Sequence, residues 1–175
     1  MGPRRLPGSH STDRSAKEPA LYTIVLLTEN ALTEHDVQRV AQLHEPEQVR
    51  VFVLVPVETD RNRLVEALDD VALGHLPSGG DDSPGDAPAR AASALQVSVG
   101  ALSSAHLIAE GDLTAADPVP GVVEKARELD ADEVVVITEP HLLEETLRRD
   151  WASRIRQDLD RPVLHVVAGT DRVVS

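Results

Sequence analysis

The sequence predicts an α/β domain, a doubly wound three-layer sandwich built on a five-stranded, mainly parallel sheet. Three observations carry this. Strand-like and helix-like segments alternate along the chain. The strand-like runs are continuously apolar rather than alternating, as expected of strands buried on both faces. At 175 residues the chain suits one core, since domains of about 100–150 residues are the commonest. The alternation implies right-handed crossovers that place helices on both faces of the sheet. Hydrophobic residues make up 41% of the sequence and aromatics only 2%, so Val, Leu, Ala and Ile must fill the core.

The first 20 residues are rich in Pro, Gly and Ser and read as a disordered N-terminal tail ahead of a domain over 21–169. LYTIVLL from Leu21 is the first strand. Thr33 offers an N-cap hydroxyl, Glu34 and Asp36 place negative charge on the first turn, and Val37, Val40 and Ala41 follow at helical spacing, so a helix runs to near His44. VRVFVLVPV is the second strand, with Pro56 near its end, where a missing N–H costs little. Leu64, Val65, Leu68, Val71 and Ala72 predict a helix over 61–76. SGGDDSPGDAP then has the composition of an exposed, flexible loop over 77–87. A helix over Ala87–Leu102 leads into AHLIAEGD, a third strand closed by Gly111.

Asp117, Pro118 and Pro120 suit the start of a helix that Val123, Ala126, Arg127 and Leu129 carry onward. DEVVVIT is the fourth strand. From His141, the apolar stripe Leu143, Leu147, Trp151, Ile155 and Leu159 predicts a helix, with Glu144–Arg148 and Glu145–Arg149 pairs beside it. RPVLHVV is the last strand, and 170–175 read as a C-terminal tail.

Composition excludes several function classes. The net charge of −13 disfavours nucleic acid, whose binding needs clustered Lys and Arg. No apolar run approaches the ~20 residues that span a bilayer, and the N-terminus lacks a signal-peptide stretch, which leads us to expect a cytoplasmic protein without membrane contact. There is no cysteine, hence no thiolate chemistry. His141, Glu144 and Glu145 sit one turn apart but lack a third ligand, so they read as a helix N-terminus and no metal is expected. His35, His44, His75, His106 and His165 show no ligand spacing, and no Gly-x-Ser-x-Gly elbow is present.

The stretch from EGDLTAADPVPGVVEKARELDADEVVVIT to RIRQDLDRPVLHVV resembles the second half of universal stress proteins. The likeness extends over about Tyr22–Val167 and rests on an order: a strand ending at Gly111–Asp112, a helix closing on Ala131–Asp132, the strand Glu133–Ile137, a helix, then Pro162–Val163. The resemblance implies strand order 3-2-1-4-5 and a homodimer through the last strand, with Val163, Leu164 and Val166 at the interface. Nucleotide-binding members carry an Asp after the first strand, and Gly-x-x-Gly followed by Gly-Ser or Gly-Thr from the fourth strand onward. This chain has Thr28, Glu29 and Asn30 at the first place, Ile137 and Pro140 at the paired glycines, and Arg149–Asp150 near the last. Phosphate cradles need backbone N–H groups in open approach, and Glu29, Glu58, Asp60 and Glu139 would repel a triphosphate. The expectation is a non-enzymatic, stress-associated regulatory protein with a degenerate ATP site and no cofactor. The alternative is an adenine-nucleotide sensor binding ATP or AMP through Thr28, Asn30, Thr138 and Arg149.

Overall fold

The computed structural model describes residues 21–43, 48–57, 86–138 and 151–174. The N-terminal tail, the helix expected over 61–76, most of the loop over 77–87, and the segment from His141 to Asp150 lie outside the described residues.

The elements are β1 (Leu21–Thr28), α1 (Glu34–Gln42), β2 (Gln48–Pro56), α2 (Ala87–Ser104), β3 (Ile108–Thr114), α3 (Val119–Glu128), β4 (Glu133–Thr138), α4 (Trp151–Asp158), β5 (Val163–Val167) and β6 (Val173–Val174). One sheet holds all six strands in the order β3-β2-β1-β4-β5-β6. The first five are parallel to their neighbours, and β6 runs antiparallel to β5. The anticipated order 3-2-1-4-5 is thus observed, extended by one strand.

Side chains on a strand alternate between faces, and here each face meets a helical layer. Ile24, Leu26, Val51, Val53, Val135 and Val166 pack toward Val37 and Val40 of α1 and Leu102 of α2. Val25, Leu27, Leu54, Val134 and Val136 pack toward Val122 and Ala126 of α3 and Trp151 and Ile155 of α4. That is why the strands read as continuous apolar runs. Among the described residues no helix is long and apolar enough to cross a membrane.

One local expectation changes. Gly111 does not close the third strand, which continues to Thr114. A Cβ at Gly111 would press on the Val53 carbonyl oxygen and lie 2.7 Å from Leu95 Cδ1, so the glycine permits close approach of α2 and β2 inside the strand. Asp117 stands at the start of α3 as expected, its Oδ1 accepting from the Val119 N–H at 3.5 Å, with Pro118 at the cap position. Arg154 Nη1 and Nη2 also fork onto the Asp117 carboxylate at 3.0 and 2.8 Å. The tail after β5 is partly ordered structure: His165 pairs with Val174 and Val166 with Val173. Of the residues expected at a dimer interface, Val166 is 1% exposed and belongs to the first core cluster. Val163 and Leu164 are half-buried.

Candidate functional site

In an open α/β sheet the ligand crevice lies outside the carboxyl ends of the strands, where the winding reverses. Here that point is between β1, whose chain turns to α1 on one face, and β4, which precedes α4 on the other. The described wall of the crevice is the β1–α1 loop together with the ends of β4 and β5.

The loop is held from three sides. Thr28, 3% exposed, donates its hydroxyl to the Asn30 carbonyl at 2.8 Å. The Leu32 N–H donates to Ser98 Oγ at 3.0 Å, and that α2 serine is fully buried. Thr33 then caps α1 in a reciprocal box: its hydroxyl accepts from the Asp36 N–H at 3.2 Å while Asp36 Oδ2 accepts from the Thr33 N–H at 3.0 Å. The other oxygen of Asp36 accepts from the Gly169 N–H at 2.9 Å, tying α1 to the turn after β5.

On the β4 side, Thr138 Oγ1 and His165 Nε2 are hydrogen-bonded at 2.9 Å, each residue 5% exposed. The Thr138 carbonyl accepts from the Ala168 N–H at 2.9 Å. Register matters here. Thr28 lies opposite Ile137, so Thr28 and Thr138 point to opposite faces of the sheet. The structure therefore does not bring these two candidate contacts together.

Of the four residues named for nucleotide contact, Thr28 and Thr138 are buried and engaged within the chain, Asn30 is exposed at the loop tip, and Arg149 lies outside the described residues. Glu29 is half-buried beside Asn30; Glu58, Asp60, Glu139 and Pro140 are outside the described residues. Ile137 is 3% exposed and packs in the core with Ile24 and Leu26, so its side chain fills the interior rather than the crevice mouth. Among the described residues no group of three His, Asp or Glu could hold a metal ion. Trp151 is 5% exposed in the second core cluster, the packing role its stripe position suggests.

Nearby, Asp117 and Arg154 link α3 to α4. The hydrogen bonds from Arg154 hold the Asp117 carboxyl below its ordinary range, desolvation opposing, and the Arg154 guanidinium is correspondingly more basic. Ser98, Asp36 and His165 were not singled out by sequence pattern as parts of this wall. The only local signal was the Thr33–Asp36 spacing, since the partners of Ser98 and His165 are 66 and 27 residues away.

No protein-family model and no curated protein sequence matches the chain. Solved structures do. The universal stress protein from Archaeoglobus fulgidus in complex with dAMP is 17% identical, with TM-score 0.52 over 86% of this chain and 99% of that one. A second structure of the universal stress protein from Archaeoglobus fulgidus gives 18% identity and TM-score 0.54, covering 84% and 93%. The hypothetical protein MJ0577, whose biochemical function was assigned from its structure, gives 15% identity and TM-score 0.57, covering 85% and 97%. With the sheet order and the two helical layers described above, these likenesses establish that the chain has the fold of the universal stress proteins.

Proposed function

We propose that this chain is a non-enzymatic, stress-associated regulatory protein of the cytoplasm whose strand-end crevice does not hold ATP. The observation that carries this reading is the state of the two hydroxyls at the switch point. Thr28 occupies the place where the resemblance expects an Asp, and its hydroxyl is buried against the Asn30 carbonyl. Thr138 is buried against His165. Each hydroxyl is already engaged within the chain, so a ligand that needed its proton would have to compete with an internal hydrogen bond worth about 0.5–1.5 kcal/mol. The net charge of −13 further opposes a triphosphate.

One observation favours a second reading, that of an adenine-nucleotide sensor: a structure of the same fold is a complex with dAMP. That reading uses Asn30, exposed at the loop tip, as a contact, together with Arg149, which lies outside the described residues.

Calorimetry of nucleotide-stripped protein with ATP and Mg²⁺, and separately with dAMP, decides between them. The proposed function predicts no saturable heat from protein shown to be folded by its Trp151 emission. Saturable one-to-one binding that weakens in Asn30→Ala overturns it and establishes the sensor.

A further inference from the structure

Alternation of side chains along a strand puts Leu21 of β1, Arg50 and Phe52 of β2, and Ile108, Glu110 and Asp112 of β3 on one face of the sheet, the face that carries α3 and α4. Around β3 the described helices leave this face open. Among the described residues no β3 side chain enters the second core cluster, whereas on the opposite face Ala109 and Leu113 pack against the first. Helix α3 meets β3 at its far end, where a Cβ at Gly121 would press on Thr114 Oγ1. Toward the start of β3 the surface is apolar: Ile108 is 51% and Leu21 41% exposed, and Phe52 is half-buried. The polar groups around it are mainly acidic. Arg50 pairs with Glu110, and Lys125 lies 4.8 Å above the Phe52 ring while pairing with Glu128 at 2.6 Å. The Glu128 bond raises the Lys125 pKa, desolvation opposing, and the charges of Asp112 and Glu124 add to the rise.

We propose that this face is the docking site of the basic segment of residues 1–20, which lie outside the described residues. The segment carries Arg4, Arg5, Arg14 and Lys17 against Asp13 and Glu18, so it is net positive in a chain whose total charge is −13. It joins the domain at Leu21, on the open face itself. Glu110 stands two strands across and four residues along from Leu21, about 16 Å away at about 4.8 Å per strand and about 3.3 Å per residue. Lys17, four residues before Leu21, reaches about 14 Å through extended backbone, and its side chain spans the remainder. Asp112 is two residues further along β3, within the reach of about 24 Å that seven residues of chain give Arg14. The tether sets a high effective concentration, so individually weak contacts suffice. Docking also takes the Leu21 and Ile108 side chains out of water.

The chain has no cysteine, so Ser15→Cys gives a single attachment point for a nitroxide spin label in the full-length protein. Broadening of amide signals by the label then maps where the segment lies. The internal control is α2, which ends at the amino edge of the strands as α3 does, but on the opposite face. An undocked segment swings past both faces and broadens Ala101–Ser104 and Lys125–Glu128 alike. The expected result is broadening of Ile108–Asp112 and Lys125–Glu128 that α2 does not share. That broadening should fall when salt rises from about 0.05 to about 0.5 M, which shortens the screening length about threefold. It should fall as well at low salt in the double variant Arg14→Gln/Lys17→Gln, which leaves the domain itself unaltered. Broadening shared equally by the two helices overturns the proposal, as does one-sided broadening that survives either treatment.

Discussion

Gly111 and Gly100 show how one residue type answers to two environments. Gly111 lies within β3, where an added methyl would meet the Val53 carbonyl and Leu95 Cδ1, the latter at 2.7 Å. The carbonyl belongs to a paired strand and cannot swing away, so Gly111→Ala should destabilise the protein by about 1–3 kcal/mol, the usual cost of overpacking. Gly100 lies within α2, and a Cβ there meets nothing within 4 Å. Gly100→Ala should therefore stabilise by roughly 0.5–1 kcal/mol through helix propensity. Urea titrations followed by Trp151 fluorescence should move the two midpoints in opposite directions; movement in the same direction would contradict this account of β3. At this scale the sequence took Gly111 for the end of the third strand, whereas it lies inside it. The reason for the glycine was not legible, because the crowding comes from residues 58 and 16 positions away in the chain, Val53 and Leu95 respectively.

Among the elements, the α3–α4 pair depends on a contact that titrates. The Arg154 fork lowers the Asp117 pKa, so the carboxylate binds its proton less readily in the folded protein than in the unfolded chain. Linkage then fixes the sign. The contribution is fully present above the ordinary aspartate range and is lost as pH falls through the lowered folded value. Both side chains are about half exposed, and solvent screening limits the pair to about 0.2–1 kcal/mol. Asp117→Asn should reduce the urea midpoint at neutral pH by that amount, with the difference from the parent closing in acid; a difference that persists unchanged at low pH would show that packing, not charge, is responsible. Helices and strands with strong local signals were legible in advance. Thr33 and Asp36 marked the start of α1, and VFVLV and EVVVI marked buried strands. Asp117 marked the start of α3, but its fork with Arg154 was not legible, because Arg154 sits on the next helix, 37 residues on, and no local rule reports such a distance. The two-residue β6 was invisible for a related reason: Val173–Val174 pairs with β5 after a turn whose Gly169 N–H bonds to Asp36, 133 residues away.

The whole molecule is organised around β1. It has a parallel neighbour on each side, and Ile24, Val25, Leu26 and Leu27 are all fully buried, alternately in one helical layer and the other. Continuous apolar runs were enough to foresee this arrangement, since only central strands need both faces hydrophobic. The crevice was less legible. Whether Thr28 and Thr138 converge is a matter of register between β1 and β4, and a one-residue shift reverses a side chain's face. The same organisation sets a gradient of local stability. At the far side of the sheet β3 has a neighbour only in β2 among the described strands, and Ile108 at its start is 51% exposed. At the other side β6 pairs over two residues. Opening free energies follow burial and pairing, from the global value in central strands to near zero at frayed edges. Native-state hydrogen exchange should thus find the β1 amides from Ile24 to Leu27 exchanging only through global unfolding, β4 close behind, and β3 and β6 through smaller, local openings. Equal protection of β3 and β1 would contradict this gradient. Fast exchange at β6 accompanied by slow exchange at β5 would show that the two-residue β6 pairing opens while the rest of the sheet stays closed.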